Sequence, residues 1–340
     1  MQIDLRSDTL TQPTPPMKKA MFVAVVGDDV FGEDPTLKQL EKTMANLFGH
    51  EAALFCPSGT MTNQIAIKVH TQPGTEVICD RLSHIYLYEG GGVASNSYAS
   101  MRLLEGDFGR ISAEQIAQNI NNPLDIHQPI TSLVVLENTV NKGGGVYYSL
   151  ESIQAIRQVC QKNNLPLHLD GARIFNALVE TGMSPSLLGS QFDSISVCLS
   201  KGLGCPVGSV LIGSESFIQK AKRVRKALGG GIRQGGFLAA AGLYAIEHHI
   251  DRLKEDHSRA RQLGKWVSEL PQVEYVYDIP TNIVLFALKP EVNPQDFLTE
   301  WKKKGILAIS FGGQLIRLVT HLDVQDPHLD HFYQSMHLDL

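Results

Sequence analysis

Cysteine is sparse in this 340-residue chain, and its five copies, Cys56, Cys79, Cys160, Cys198 and Cys205, are scattered, odd in number and free of any CxxC pair. That excludes a disulfide framework and a cysteine-built zinc ribbon. Cys56, Cys79 and Cys198 fall in apolar strand-like runs, where a thiol behaves as a small hydrophobe, which fits a reducing cytoplasm. A basic excess is also missing. With a formal net charge of -5, the chain lacks the electrostatics of a general polyanion binder, so nucleic acid is not an expected partner. No apolar run reaches the roughly 18 residues a spanning helix needs, so no membrane is expected. The start, Met1 to Asp8, has no apolar core of a signal peptide. GxGxxG, GxxxxGK[ST] and HExxH are absent, which disfavours dinucleotide, P-loop and zincin chemistry.

What is present is an ordinary globular balance, 43% hydrophobic and 19% charged, in a length that suggests roughly two domains. Residues 1–16 are polar and rich in proline (Pro13, Pro15, Pro16) and read as an arm. Asp34-Pro35 opens a helix as cap and first residue; Leu37, Leu40, Met44 and Leu47 give its apolar stripe and Gly49 its end. Strand-like runs then recur at 52–56, 75–79, 101–104, 132–136, 165–169, 194–199 and 208–212, with helical stretches such as 60–70, 112–121 and 149–163 between them. Continuously apolar runs, such as Leu133 to Leu136, suit strands covered on both faces. The pattern predicts an α/β domain with a mostly parallel seven-stranded sheet and ligand chemistry at the carboxyl strand ends. Residues 235–270 read as helical. Beyond Pro271 the order becomes strand, strand, helix, strand, strand, helix, a smaller α+β unit. The expected division is an arm over 1–16, a large domain over 17–247 and a small C-terminal domain over 248–340.

Lys201 follows the apolar run Ile195 to Ser200 and opens the turn Gly202-Leu203-Gly204, while strand-like Leu167 to Leu169 delivers Asp170, with Arg173 just beyond. A lysine at the dry end of a buried strand loses hydration, which favours its neutral, nucleophilic amine. An acid at a neighbouring strand end can meet a basic cofactor nitrogen. Together they suggest a Schiff-base lysine and a pyridinium partner, the protein half of pyridoxal-phosphate chemistry.

Other segments extend that reading. Pro57-Ser58-Gly59-Thr60 leads into a helix, where open backbone N–H groups can cradle a phosphate; an ordinary tight turn fits the same residues. His84 and Tyr88 are four apart and share a face if helical; the imidazole could stack on a ring or move a proton, or be a satisfied core histidine. His127 lies in a polar loop and read alone is a surface histidine. Arg317 interrupts the apolar strand Leu315 to Val319 and needs an anion, either a structural carboxylate or a substrate one. Gly229-Gly230-Gly231 is flanked by Lys226 and Arg233, a candidate second phosphate contact. His168 is expected to pack in the core, and His248, His249 and His257 to be solvated. A metal site from His84, His127 and His168 finds no support in spacing, and no metal is expected.

Taken together, LRSDT (5–9), GDDVFGEDPT (27–36), PSGTMTNQ (57–64), SHIYLYEGGG (83–92), LENT (136–139), HLDGARIFNA (168–177), SKGLGCPVGS (200–209), GGGIRQ (229–234) and IRLVTHLD (316–323) resemble the low-specificity L-threonine aldolases. These are pyridoxal-phosphate enzymes of the aspartate-aminotransferase fold, the PLP-dependent transferase-like fold type I. The resemblance implies that Lys201 carries the cofactor, Asp170 pairs with its pyridinium nitrogen, Gly59 and Thr60 bind its phosphate, and His84 stacks on its ring. It implies that Arg233 reaches the phosphate from a neighbouring subunit of a homotetramer, a dimer of dimers with sites at the subunit interface. Ser7, Arg173 and Arg317 would hold the substrate carboxylate, and His127 would lie near the substrate hydroxyl. Arg173 and Ser200 are also placed with the cofactor, and Tyr88 with the amino-acid substrate. Val140 departs from the family, which usually shows a histidine there.

The activity so implied is reversible retro-aldol cleavage of L-threonine, L-allo-threonine and related β-hydroxy amino acids to glycine and an aldehyde. The base is His84, His127 or a water either one positions. A β-eliminating lyase or aminotransferase of the same fold is the near alternative. A non-catalytic binding module and a metal-dependent hydrolase are the distant ones.

Overall fold

The computed structural model describes residues 1–337. Its strands are β1 Ile3–Asp4, β2 Ala52–Cys56, β3 Glu76–Asp80, β4 Ser100–Leu104, β5 Thr131–Glu137, β6 Leu167–Gly171, β7 Ser194–Cys198, β8 Ser209–Gly213, β9 Val273–Val276, β10 Ile283–Leu288, β11 Ile306–Leu307, β12 Ile309–Gly312 and β13 Leu315–Val319. The seven runs expected from sequence form one sheet in the order β2-β8-β7-β6-β5-β3-β4. β4, β3, β5, β6 and β7 are mutually parallel; β8 runs against both of its neighbours, so β2 points the same way as β7. The fold is therefore the expected mostly parallel α/β sheet of the PLP fold type I class, with a separate small antiparallel sheet.

Helices cover both faces, which is why β3, β6, β7 and β8 are buried at every residue. The period of two sorts β2: Ala53 and Phe55 join the core on one face, Leu54 and Cys56 the core on the other. The helix Pro35–Phe48 lies on the first face. Asp34 caps it, its Oδ1 accepting the Leu37 N–H at 2.9 Å, and Gly49 ends it at φ 71. Phe48, rather than Leu47, completes the fully buried stripe.

The smaller sheet, β12-β13-β10-β9, is antiparallel throughout. Its core includes Phe286, Trp301 and Phe332, and also Ile3 and Leu5 from the start of the chain. The arm is thus partly a strand: β1 pairs in parallel with β11 because Ile3 within it and Leu5 just after it are drawn into that core. The single strand expected at 306–310 divides, β11 serving β1 and β12 serving β13. Between the cores run two helices. Gly236–His248 gives Ala239, Ala241 and Ala245 to the large one, and Leu253–Ser268 gives Ala260, Leu263 and Val267 to the small one.

Candidate active site

The carboxyl ends of β5, β6 and β7 deliver Glu137, Asp170 and, three residues on, Lys201. Register sets Glu137 directly opposite Asp170, and Asp170 opposite Ser196. Beyond these ends opens a cavity of 510 Å³ whose lining includes Ser7, His84, Tyr88, Arg173, Lys201 and Arg317. Six residues from five stretches of sequence therefore meet in one space. Glu137, Asn141, Lys142, Ala172 and Phe311 line it too.

Lys201 is half-buried, and its Nζ has no hydrogen-bond or ion-pair partner among the described residues. Asp170 is buried close by. Its Oδ2 accepts from Asn63 Nδ2 at 2.9 Å and its Oδ1 from the Ala172 N–H at 3.2 Å. Asn63 is in turn held by His168, whose Nε2 lies 3.2 Å from Asn63 Oδ1 and whose Nδ1 lies 2.8 Å from Ser194 Oγ. Burial, with the neighbouring His70, pushes the His168 imidazole down to about 3, so its ring is neutral and Nε2–H donates to Asn63.

His84 begins the short helix His84–Leu87, and its Nδ1 donates to Glu89 Oε1 at 2.9 Å. Glu89 is fixed by Asn63 Nδ2 at 2.9 Å and Gln64 Nε2 at 2.6 Å. Burial disfavours the imidazolium, but the bond to Glu89 and the charges of Asp170, Glu89 and Glu137 outweigh it and raise the His84 pKa. Its Nε2 is left without a partner among the described residues. Tyr88 stands at the mouth, half-exposed, its ring centroid 5.6 Å from that of His84.

The two arginines differ. Arg173 is spent on a residue the sequence did not single out: its Nε and Nη2 donate to Asp8 Oδ2 and Oδ1, each at 2.7 Å. Burial would raise the Asp8 carboxyl, but Arg173 holds it down at about 2. Arg317 has no carboxylate partner among the described residues. It donates to Asn141 Oδ1 at 2.9 Å and the Arg6 carbonyl at 2.9 Å, its Nε is buried without a partner, and burial with Arg173 nearby lowers it to about 10. It remains charged at neutral pH, a guanidinium still lacking an anion. Phe311 lies against it, with Arg317 Cζ 4.7 Å and Lys142 Nζ 3.9 Å from its ring centroid.

At the carboxyl end of β2, on the same sheet edge, Gly59 and Thr60 start the helix Gly59–His70 behind the cap Ser58. Their backbone N–H groups have no acceptor among the described residues. Ser209 Oγ, also buried without a partner, would lie 3.6 Å from a Cβ at Gly59. Open helix N–H groups and an orphaned hydroxyl fit a phosphate. Asp170 fits a basic ring nitrogen, unpaired Lys201 an aldehyde, and His84 with Ala172 the faces of a ring. The donor set thus suits an aromatic phospho-aldehyde.

Two expected residues lie elsewhere within the chain, while Ser200, beside Lys201, lines the cavity no more than Asp170, Gly59 and Thr60 do. His127 is exposed in the loop preceding β5, at the opposite end of that strand from Glu137. Arg233 is exposed and ion-paired with Asp28 at 3.1 Å. Ser200 does not line the cavity; its Oγ is 3.4 Å from Cys198 Sγ. Val140 is 1% exposed and packs over Gly109, so the departure from histidine falls in the core and not on the cavity. Two histidines expected in solvent are buried: His249 Nδ1 meets the Leu203 carbonyl at 2.7 Å, and His257 bridges Glu180 and Asn176. Asp8, Asn63, Glu89, Glu137 and Asn141 escaped notice. Glu137 carried a signal akin to that of Arg317, a charge attached to an apolar strand, here at its end.

The family model for beta-eliminating lyases matches residues 4–289. Among characterised relatives, a low-specificity L-threonine aldolase of Escherichia coli K12 is 41% identical over 328 residues, covering 96% of both chains. Low-specificity L-threonine aldolase 1 of Arabidopsis thaliana is 40% identical over 344 residues, covering 98% of this chain and 96% of its own. A solved threonine aldolase structure from Leishmania major superposes with a TM-score of 0.84 over 97% of each chain at 18% identity, a likeness of fold.

Proposed function

The chain belongs to the low-specificity L-threonine aldolases of the beta-eliminating lyase family, and from that premise we propose how its cavity works. It is a carbon–carbon lyase that cleaves L-threonine and related β-hydroxy amino acids to glycine and an aldehyde, acetaldehyde from threonine. The observation that carries the assignment of roles is the meeting of partnerless Lys201 and carboxylate-free Arg317 in one 510 Å³ cavity.

The cofactor in this reading is pyridoxal 5'-phosphate, which when bound supplies a sink for the electron pair left at Cα as the Cα–Cβ bond breaks. Lys201 provides the amine that tethers it. Asp170 keeps a proton at its ring nitrogen, and Gly59, Thr60 and the Ser209 hydroxyl receive its phosphate. Arg317 binds the substrate carboxylate with Ser7, which lines the cavity. Arg173 acts through Asp8 and Asn141, orienting that receptor. His84 Nε2 takes the β-hydroxyl proton, because its other nitrogen is committed to Glu89. Tyr88 walls the side where the β-substituent leaves.

The assembly in this reading is a homotetramer, a dimer of dimers. Exposed Phe22, Val25 and Phe31, 86%, 69% and 76% accessible, support an apolar interface near Asp28. Arg233, outside its own cavity, would reach a neighbour's phosphate, and His127 could serve only in the same way. Five free, buried cysteines favour the cytoplasm. The core of the small sheet, distinct from those on the large one, supports reading 17–247 as the catalytic domain and 248–340 as the small domain, with 1–16 an arm whose Ile3 and Leu5 pack into the small core.

The test is product analysis. Purified protein with pyridoxal phosphate and L-threonine should release acetaldehyde and glycine in equal amounts. A keto acid and no acetaldehyde would place the chemistry at Cα–H, with ammonia released by an eliminating lyase and the amino group passed to the cofactor by an aminotransferase.

A further inference from the structure

Glu137 ends β5 as a buried carboxylate with no basic side chain bonded to it among the described residues. Both of its oxygens are taken by backbone. Oε2 accepts the N–H of His84 at 2.7 Å, and Oε1 accepts the N–H of Asn141 at 2.8 Å. Those two donors belong to two residues that both line the cavity. From the first hangs the imidazole, which Glu89 holds at its far end. From the second hangs the carboxamide whose Oδ1 receives Arg317 Nη1 at 2.9 Å and Arg173 Nη1 at 3.4 Å.

The position is an expensive one for a carboxylate. Burial and the facing Asp170 raise its pKa, while the two N–H donors and His84 lower it. An amide or an apolar residue would avoid that cost if filling space were all the position required. With both oxygens unprotonated, the carboxylate accepts from the two N–H donors at once. Glutamine offers one acceptor and turns an NH₂ toward the second donor.

We propose that Glu137 is a positioning residue that sets the separation between the proton-accepting wall, His84, and the carboxylate-binding wall, Asn141 with Arg317. It touches neither the substrate carboxylate nor the β-hydroxyl; it spaces the groups that do. The inference rests on the aldolase reading, in which both ends of one small amino acid must be gripped while Cα–Cβ is held for cleavage. An error of about 1 Å in such spacing can cost a hundredfold.

Glu137→Gln is the test, read in two ways. In steady-state cleavage of L-threonine, KM should rise and kcat should fall, each at least threefold, because both walls move. Asn141→Ala, which loosens one wall, should act mainly on KM. In the protein without cofactor, the His84 imidazole should titrate at a lower pH by NMR in Glu137→Gln, since the Glu137 charge is one of three acids raising it. Wild-type KM and kcat with an unmoved His84 titration would overturn the proposal. So would a loss confined to kcat with the His84 resonance unchanged, which would mark a merely structural effect. If Glu137→Gln fails to fold, Glu137→Asp, one methylene short of both donors, is subjected to the same readouts. Should the wild type release no acetaldehyde, the aldolase reading fails, while the His84 titration still decides the positioning role.

Discussion

Asn141 Oδ1 accepts from Arg317 at 2.9 Å and from Arg173 at 3.4 Å, so two buried guanidinium groups converge on one neutral oxygen. Asp8 neutralises Arg173, and nothing comparable among the described residues neutralises Arg317. The asymmetry explains how two cations coexist there: one is structural and the other waits for an anion. A carboxylate arriving at Arg317 gains a bidentate partner whose desolvation has already been met by folding. Arg317→Lys keeps the charge but loses the fork and its seat against Phe311. KM for L-threonine should rise about tenfold or more, equivalent to about 1.4 kcal/mol, with a smaller change in kcat. Steady-state kinetics on acetaldehyde release measures it, and an unchanged KM would remove Arg317 from the substrate site.

Asp8 should govern acid stability. Its folded pKa, about 2, lies below the ordinary 3.8, so the unfolded chain binds this proton more readily. The stability it contributes is therefore present above pH 4 and lost as pH falls toward 2, on the order of 2 kcal/mol. Asp8→Asn should unfold more easily at pH 7, by about 3–5 kcal/mol, because it leaves Arg173 buried without its partner. It should also show a shallower dependence between pH 4 and pH 2. Urea melts across that range, followed by circular dichroism, provide the comparison.

The difference between Arg173 and Arg317 marks where sequence reading stops. Runs of alternating strands and helices made the seven-stranded sheet legible, because burial on two faces writes itself as continuous apolar stretches. Lys201, Asp170 and Arg317 were legible for a related reason: a charge at the end of such a stretch, or within it, must have a purpose. Asp8 was not, since it sits in a polar arm where an acid looks solvated, and only its contact with Arg173, 165 positions away, shows otherwise. β1 escaped in the same way, two residues being too short for any period. His249 and His257 failed in the opposite sense. Their stretch of sequence is charged enough to suggest solvent, yet each faces a neighbour supplying a hydrogen-bond partner.

Gly59 separates binding from folding. A Cβ there would meet only Ser209 Oγ at an ordinary 3.6 Å, so Gly59→Ala should leave the melting temperature of cofactor-free protein within about 2 °C. The same methyl group intrudes on the open N–H groups at the helix start, where a phosphate would need close backbone approach. Affinity for pyridoxal phosphate should fall at least fivefold in a spectroscopic titration. An unaltered affinity would move the phosphate elsewhere.

His168 lies one link further out, and its effect should reach the cofactor through Asn63. Its neutral ring donates to Asn63 Oδ1, which leaves Asn63 Nδ2 directed at Asp170. The folded pKa of about 3 lies below the ordinary 6.5, so the unfolded state takes up this proton first as pH falls. Stability is therefore fully retained above pH 6.5 and declines from there toward pH 3. His168→Gln removes the titrating group while retaining an amide donor. Denaturant melts should then decline less between pH 6.5 and pH 4 than those of the wild type. The variant should nevertheless bind pyridoxal phosphate more weakly, since a flexible amide holds Asn63, and hence Asp170, less firmly than a ring fixed at both nitrogens. A variant with flattened pH dependence and unchanged cofactor affinity would show that Asp170 keeps its orientation without this chain of hydrogen bonds.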